Sequence, residues 1–300
     1  MKKILITLLA LTLLCMTAGA QIVDSGRCGL NATWQLEDGG RLVIEGTGAI
    51  EDYGSGNFQR PWAEHDVEEL VIKEGITRIG DSAFCDFDIK CVSLPSTLES
   101  IGEYAFENTG ELHSCADLYP DESDVIIPDR ETLVIPDSVE TIGRGAFSAS
   151  EAKSIALPKN LKSIEPYLFF DCRELERVTI PDGVETVETY AFAACNELEL
   201  IVLPKSVKYI GSGAFDDWED MEGDWGNDYK VTIGYKGTSE EWDEIKIASD
   251  NINLDSARII TSYKPGDENK PPFGVILLLA VGAIVVVLIV VRRIKKNKSK

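Results

Sequence analysis

Apolar positions in this chain recur in a pattern with a period of 22 or 23 residues. Six phenylalanines fix the register: Phe84, Phe106, Phe147, Phe169, Phe192 and Phe215, at spacings of 22, 41, 22, 23 and 23 residues. The interval of 41 is one period plus an insertion. Fourteen residues before each anchor stand Leu70, Val92, Leu133, Ile155, Val178 and Ile201, and twelve before stand Ile72, Leu94, Ile135, Leu157, Ile180 and Leu203. Eight before stand Ile76, Leu98, Val139, Leu161, Val184 and Val207, and five before stand Ile79, Ile101, Ile142, Ile164, Val187 and Ile210. Every one of these is apolar in a chain that is 44% hydrophobic, which chance does not produce.

Each unit can be read physically. The positions fourteen and twelve before the anchor alternate like a strand with one buried face. Proline follows in five of the six units (Pro95, Pro136, Pro158, Pro181, Pro204) and ends the strand, because it has no N–H for a ladder. A turn leads to the second apolar pair. Gly80, Gly102, Gly143 and Gly211 then predict a backbone bend closed to other residues. The Ala-Phe step sends the ring inward. One such unit cannot bury its apolar face alone, so the units must stack, with neighbouring strands ~4.8 Å apart.

Units such as Val178-Thr-Ile-Pro-Asp-Gly-Val-Glu-Thr-Val-Glu-Thr-Tyr-Ala-Phe-Ala-Ala-Cys195 resemble the BspA-like class of leucine-rich repeats. The opening from Cys28 through Trp34 to Gly48 resembles the N-terminal cap of bacterial members, and Tyr235 through Trp242 their closing segment. The resemblance spans roughly residues 28–263 and implies an α/β leucine-rich-repeat solenoid, strand-rich with short helical or 3-10 turns. It also implies a cell-surface role in binding or adhesion and no catalytic residues. Departures are Glu165-Pro166 in place of glycine, Leu168 in the alanine column, and the consensus cysteine present only as Cys172 and Cys195.

The ends of the chain predict its location. Lys2 and Lys3, an apolar run over residues 4–16 that includes Cys15, and Ala18-Gly19-Ala20 read as a signal peptide over residues 1–20. Residues 273–291 are uncharged and apolar all round, and at about 1.5 Å per residue they reach roughly 28 Å, enough for one C-terminal transmembrane helix. Arg292, Arg293, Lys295, Lys296, Lys298 and Lys300 follow, which places a short tail, residues 292–300, in the cytoplasm and the rest outside. The expected order is a cap over 21–66 and six repeats over 67–217, with an insertion at about 109–130. An acidic loop and second cap over 218–263 and a polar linker over 264–272 follow. The expectation is thus a single-pass plasma-membrane protein with its ectodomain outside.

Charge narrows the partners. Of 29 Lys and Arg, two lie in the first twenty residues and six in the tail, while all 51 Asp and Glu lie between. The ectodomain therefore holds 21 basic and 51 acidic residues, net −30, the wrong sign for nucleic acid.

The caps are legible in outline. Asp38-Gly39-Gly40 between apolar alternations predicts a hairpin that, with Trp34 and Trp62, covers the first repeat. Thr238 with Glu241 is a capping box for a short helix carrying Trp242, with strands expected over 230–235 and 257–263. Six cysteines, Cys28, Cys85, Cys91, Cys115, Cys172 and Cys195, permit disulfides outside the cell. Cys172 and Cys195 share a column of adjacent units, close enough to bridge, yet point into the core, which favours free thiols. A bridge among Cys85, Cys91 and Cys115 would pin the insertion.

Sites of chemistry are few. His65 and His113 belong to no zinc-protease or nucleophile motif, and no phosphate or dinucleotide loop occurs, so no enzyme and no cofactor are expected. A Cys115–His113 nucleophile is a remote alternative. Asp216, Asp217, Asp220 and Asp224 suit calcium by type but not by EF-hand spacing. The preferred reading is a solvated acidic loop in an acidic protein.

The expected ligand-binding surface is the concave face, lined by strand residues that point away from the core. These are Val71, Ser93, Val134, Ala156, Thr179 and Val202, with Thr132, Ser154 and Arg177 beside them, helped by Trp218 and Trp225. This strip is small and mostly uncharged, although strands favour such residues anyway. The functional expectation is recognition or adhesion toward an extracellular protein or glycan. The alternative is an acidic structural or shielding protein, calcium-dependent or not.

Overall fold

The computed structural model describes residues 20–54, 60–110, 112–115, 132–216, 231–251, 254 and 257–265. The expected signal peptide, membrane helix and tail, most of the insertion, and residues 217–230 lie outside the described residues. Among the described residues no helix is long and apolar enough to cross a membrane.

Each unit gives two short strands to two parallel ladders. The long ladder takes the column fourteen before the anchor, in strands Glu69–Ile72, Cys91–Ser93, Thr132–Val134, Ser154–Ala156, Arg177–Thr179 and Leu200–Leu203. Its register steps one unit at a time: Leu70 beside Val92, Leu133 beside Ile155, Ile155 beside Val178, Val178 beside Ile201. The short ladder takes the column five before, pairing Ile79 with Ile101, Ile101 with Ile142, Ile164 with Val187 and Val187 with Ile210.

The third side of each unit is made of turns. The helical or 3-10 turns expected there are absent from the described repeats, whose segments around the phenylalanines are hydrogen-bonded turns. The cause lies two residues either side of the ring. Ser82, Tyr104, Gly145, Tyr167, Tyr190 and Gly213 before it, and Asp86, Asn108, Ala149, Asp171 and Ala194 after it, all have φ between 52° and 62°. Left-handed residues this close together interrupt any right-handed helix. Their N–H groups point along the stack. Ser82 N, Phe84 N and Asp86 N donate to Glu103 O, Ala105 O and Glu107 O of the next unit at 2.8, 2.9 and 2.9 Å, and the triplet recurs at every junction.

The glycines are therefore kept for a different reason from the one expected. Gly80 and Gly143 have ordinary φ, but a Cβ at Gly80 would stand 1.9 Å from Glu51 O, and one at Gly143 2.6 Å from Glu103 N. These positions need space for the neighbouring backbone. The left-handed bends fall instead largely on Ser, Tyr, Asp, Asn and Ala.

The core runs along the stack. All six phenylalanine rings are fully buried and stack face to face, with centroids 5.2–6.0 Å apart and interplanar angles of 1–23°. Trp62 extends the column one step before Phe84, at 5.3 Å and 15°, and its Nε1 donates to Ala83 O at 3.0 Å. Three residues past the ring, Cys172 Sγ and Cys195 Sγ donate to Phe147 O and Phe169 O, both at 3.0 Å. Both thiols are free, as the column reading favoured.

The caps follow the expected plan with one addition. Strand β1 (Ile22–Arg27), not foreseen, pairs antiparallel with β2 (Asn31–Glu37), which pairs with β3 (Arg41–Ala49). β3 opens both ladders, Leu42 lying beside Leu70 and Gly48 beside Ile76. Trp34 meets Trp62 edge-on at 6.1 Å. At the other end, strand Thr232–Tyr235 continues the long ladder and Arg258–Thr261 is its last strand. Helix α1 (Ser239–Asp243) starts with the expected capping box, Glu241 N to Thr238 Oγ1 at 3.2 Å and Thr238 N to Glu241 Oε2 at 2.8 Å. Asn251 is tied to the turn of the last unit: its Oδ1 accepts from Ala214 N at 2.9 Å and its Nδ2 donates to Gly211 O at 2.8 Å.

The insertion begins inside the fold. Leu112 is buried, and strand His113–Ser114 pairs in parallel with Cys91–Ser93, one period on. Among the described residues it is a half-unit that gives a strand to the long ladder only, and the short ladder passes directly from Ser100–Ile101 to Thr141–Ile142. The half-unit divides the long ladder into two sheets. Ser114 Oγ accepts from Val134 N at 2.8 Å across the division.

Candidate functional site

Residues one before and one after the buried long-ladder column point away from the core, because side chains alternate along a strand. That face carries the strip singled out from the sequence. The structure does not leave all of it open. Val71, Ser93, Thr132 and Val202 are buried; Val134, Ser154 and Ala156 are half-buried; Arg177 and Thr179 are exposed.

The covering has identifiable causes. At the C-terminal end Leu200, Val202 and Tyr263 form a second apolar cluster with Ile260 packed on it. Gly234, beside Val202 in the ladder, makes this possible, since a Cβ there would lie 2.7 Å from the Tyr263 ring. Toward the N-terminal end the half-unit continues past its pairing with Cys91–Ser93, and a Cys91–Cys115 disulfide, Cα–Cα 5.2 Å, lies on the face. Between these covered ends Val134, Ser154, Ala156, Arg177 and Thr179 form a window three strands wide. Arg177 Nη2 reaches Glu199 Oε2 at 3.3 Å, both exposed, so the guanidinium is held loosely at the rim.

The other candidates are placed as follows. Asp216 is buried, and its carbonyl accepts from Ala194 N at 2.9 Å, a ladder role. Asp217, Asp220, Asp224, Trp218 and Trp225 lie outside the described residues. Glu69, Cys91 and Cys115 bring donor atoms within 4.8 Å of one another. Both sulfurs are committed to the disulfide, and Glu69 Oε1 takes Arg41 Nε at 2.9 Å. The same bond removes Cys115 as a nucleophile, because the reacting species would have to be a thiolate. His65 Nε2 sits 2.9 Å from Asp24 Oδ2 and ties β1 to the Trp62 segment. This hydrogen bond, with one from Ser25 N, holds the Asp24 carboxyl below its usual range.

The remaining thiols are buried. Burial, reinforced by the Glu51 charge, pushes the Cys28 thiol up to about 12. Burial also raises Cys85, although Arg60 opposes it, with Nη1 2.9 Å from the sulfur. Burial and the neighbouring Cys172 raise Cys195.

A family model described as "BspA type Leucine rich repeat region" matches residues 60–118 and 129–222 in six copies. The chain belongs to this family. The matched residues contain all six phenylalanine anchors. No curated protein matches the chain. Solved structures similar to it include a leucine-rich cell surface protein from Faecalibacterium prausnitzii, 16% identical, with TM-score 0.35 over 75% of this chain and 98% of that one. A leucine-rich repeat protein from Bacteroides ovatus is 17% identical, with TM-score 0.39 over 77% and 70%. The leucine-rich repeat protein of T. pallidum is 21% identical, with TM-score 0.39 over 65% and 93%.

Proposed function

We propose that this chain is a non-catalytic recognition or adhesion module on the outside of the cell. It takes an extracellular protein or glycan on the open part of its long-ladder face. The observation that carries this reading is the bounded window. Its outer strands are separated by about 10 Å, two strand spacings. The window is lined by Val134, Ala156, the hydroxyls of Ser154 and Thr179, and one guanidinium, on a protein that is otherwise strongly acidic. Small side chains on a rigid sheet let a partner approach the backbone at little entropic cost. The signal-like start, the apolar 273–291 segment and its basic flank support display at the membrane, with the repeats outside.

The test is capture of extracellular proteins and glycans by intact cells displaying the full chain, compared with cells displaying Ala156→Arg/Thr179→Arg. The reading expects saturable capture by the parent and its loss in the double variant. Equal capture by both, with the variant folded, would refute the window. No capture by either would favour a structural or shielding role.

A further inference from the structure

The large apolar side chains that stand exposed among the described residues are Ile22, Val23, Leu30, Ile247 and Ile259, and all five lie at the two ends of the stack. Those at the C-terminal end are unfinished core. Ile259 stands beside buried Ile233 in the long ladder, and Ile247 beside buried Ile210 in the short one. Each is the last member of a column that is buried in the preceding unit. Between them opens a cavity of about 550 Å³, whose apolar lining includes Trp242, Ile247, Leu254 and Ile259. The other side of the cavity is polar, formed by Ser249, Asp250 and Asn251, so the cap of this solenoid end leaves one apolar side open.

The N-terminal end has the complementary shape. β1 is an edge strand exposed along nearly its whole length, with Ile22 and Val23 in the open. Leu30, at 80% exposure, projects from the β1–β2 turn. β1 is antiparallel to β2, and β2 to β3, so β1 runs in the direction of the long ladder. Strand Arg258–Thr261, the open edge at the far end, runs the same way. Leu30 also stands on the right side of the stack. Its turn is held to Glu51, whose N donates to Cys28 O at 2.8 Å, and Ile50 N donates to Arg78 O of the short ladder at 2.9 Å. The cavity rim at Ala248 is held to the same ladder, Ala248 N donating to Ile210 O at 2.9 Å. Viewed along the stack, the projecting leucine and the cavity lie on one side.

We propose that chains associate head to tail, with β1 of one copy extending the long ladder of another beside Arg258–Thr261. Leu30 of the first copy fills the cavity at Ile247 and Ile259 of the second. The occupant is a second copy because this chain supplies both halves of the contact, a parallel edge with an apolar knob and a parallel edge with a hole that is apolar on the side of Trp242, Ile247, Leu254 and Ile259. The two surfaces differ, so the contact is heterologous and does not close at the dimer.

The experiment is sedimentation equilibrium of the full chain in detergent over a concentration series, with Leu30→Asp, Ile259→Asp and their equimolar mixture. Thermal melts check folding, and Ile247→Asp replaces Ile259→Asp if the latter fails to fold. The parent is expected to populate dimers and higher multiples. Each variant alone has one disabled end and is expected to be monomeric. The mixture is expected to regain dimers and stop there, because each variant supplies the end that the other lacks. A parent that stays monomeric at its solubility limit would overturn the proposal. So would a closed dimer that either variant preserves, or a mixture that remains monomeric.

Discussion

Phe147 lies in the middle of the ring stack, and its replacement by alanine measures what that stack contributes. The side chain is fully buried, with Phe106 at 5.5 Å and Phe169 at 6.0 Å. Phe→Ala in a packed core costs about 3–5 kcal/mol. Two stacked neighbours add about 0.5–1.5 kcal/mol each beyond burial, which places Phe147→Ala at the top of that range. The backbone on both sides is held by Phe147 N to Leu168 O at 3.1 Å and Phe106 N to Ala146 O at 2.8 Å, so the site cannot collapse readily around the hole. Urea unfolding followed by far-ultraviolet circular dichroism is the assay. The midpoint should fall by the equivalent of about 4–5 kcal/mol, and Phe147→Leu should fall by less than half as much. A loss below about 1 kcal/mol for the alanine variant would refute the stack as the spine of the fold.

Four further outcomes are expected. Gly143→Ala should destabilise by about 1–3 kcal/mol, because its Cβ meets backbone, whereas Ala149→Gly, at φ 54°, should be neutral or stabilise by up to about 1 kcal/mol; equal effects in thermal melts would contradict the division between space and conformation. Asn251→Ala should cost about 1–3 kcal/mol by leaving Ala214 N and Gly211 O only their long mutual contact of 3.4 Å, read by the same melts, and a neutral change would remove Asn251 as a tie at this end of the stack. Cys91→Ser/Cys115→Ser should lower stability by about 2–4 kcal/mol, since the bridge closes a 24-residue separation, and non-reducing melts against the parent would show it. Because the folded Cys28 thiol is raised from 9.0 to about 12, its contribution is complete below pH 9 and is lost as pH rises toward about 12; Cys28→Ala should flatten that alkaline decline in a stability–pH series.

The sequence carries most of the scaffold. The four apolar columns and the phenylalanines are the buried columns of the structure, with only Leu94 and Leu157 partly exposed, because a stack of identical units permits only one inward register. Trp34, Trp62 and the Thr238–Glu241 box sit where their chemistry suggested. What the sequence hides has physical reasons. The left-handed positions beside each ring are occupied by Ser, Tyr, Asp, Asn and Ala as well as Gly, so no residue type marks them. The signal of Gly80, Gly102, Gly143 and Gly211 concerns distance to a neighbouring unit, which one unit read alone does not contain. The outward strip was legible as a column, but its burial depends on Tyr263, Gly234 and Cys115, which come from elsewhere in the chain. The half-unit at His113–Ser114 lacks its phenylalanine and so falls out of the anchor pattern.

The most direct test of the central claim is protection at one position in the open window. Thr179→Cys introduces an exposed thiol into a chain whose described free cysteines are all buried. Its rate of modification by a maleimide should be fast in the free protein and should fall at least tenfold when a captured extracellular partner is bound. An unchanged rate at Thr179→Cys with the partner fully bound would contradict the account and place recognition on another surface.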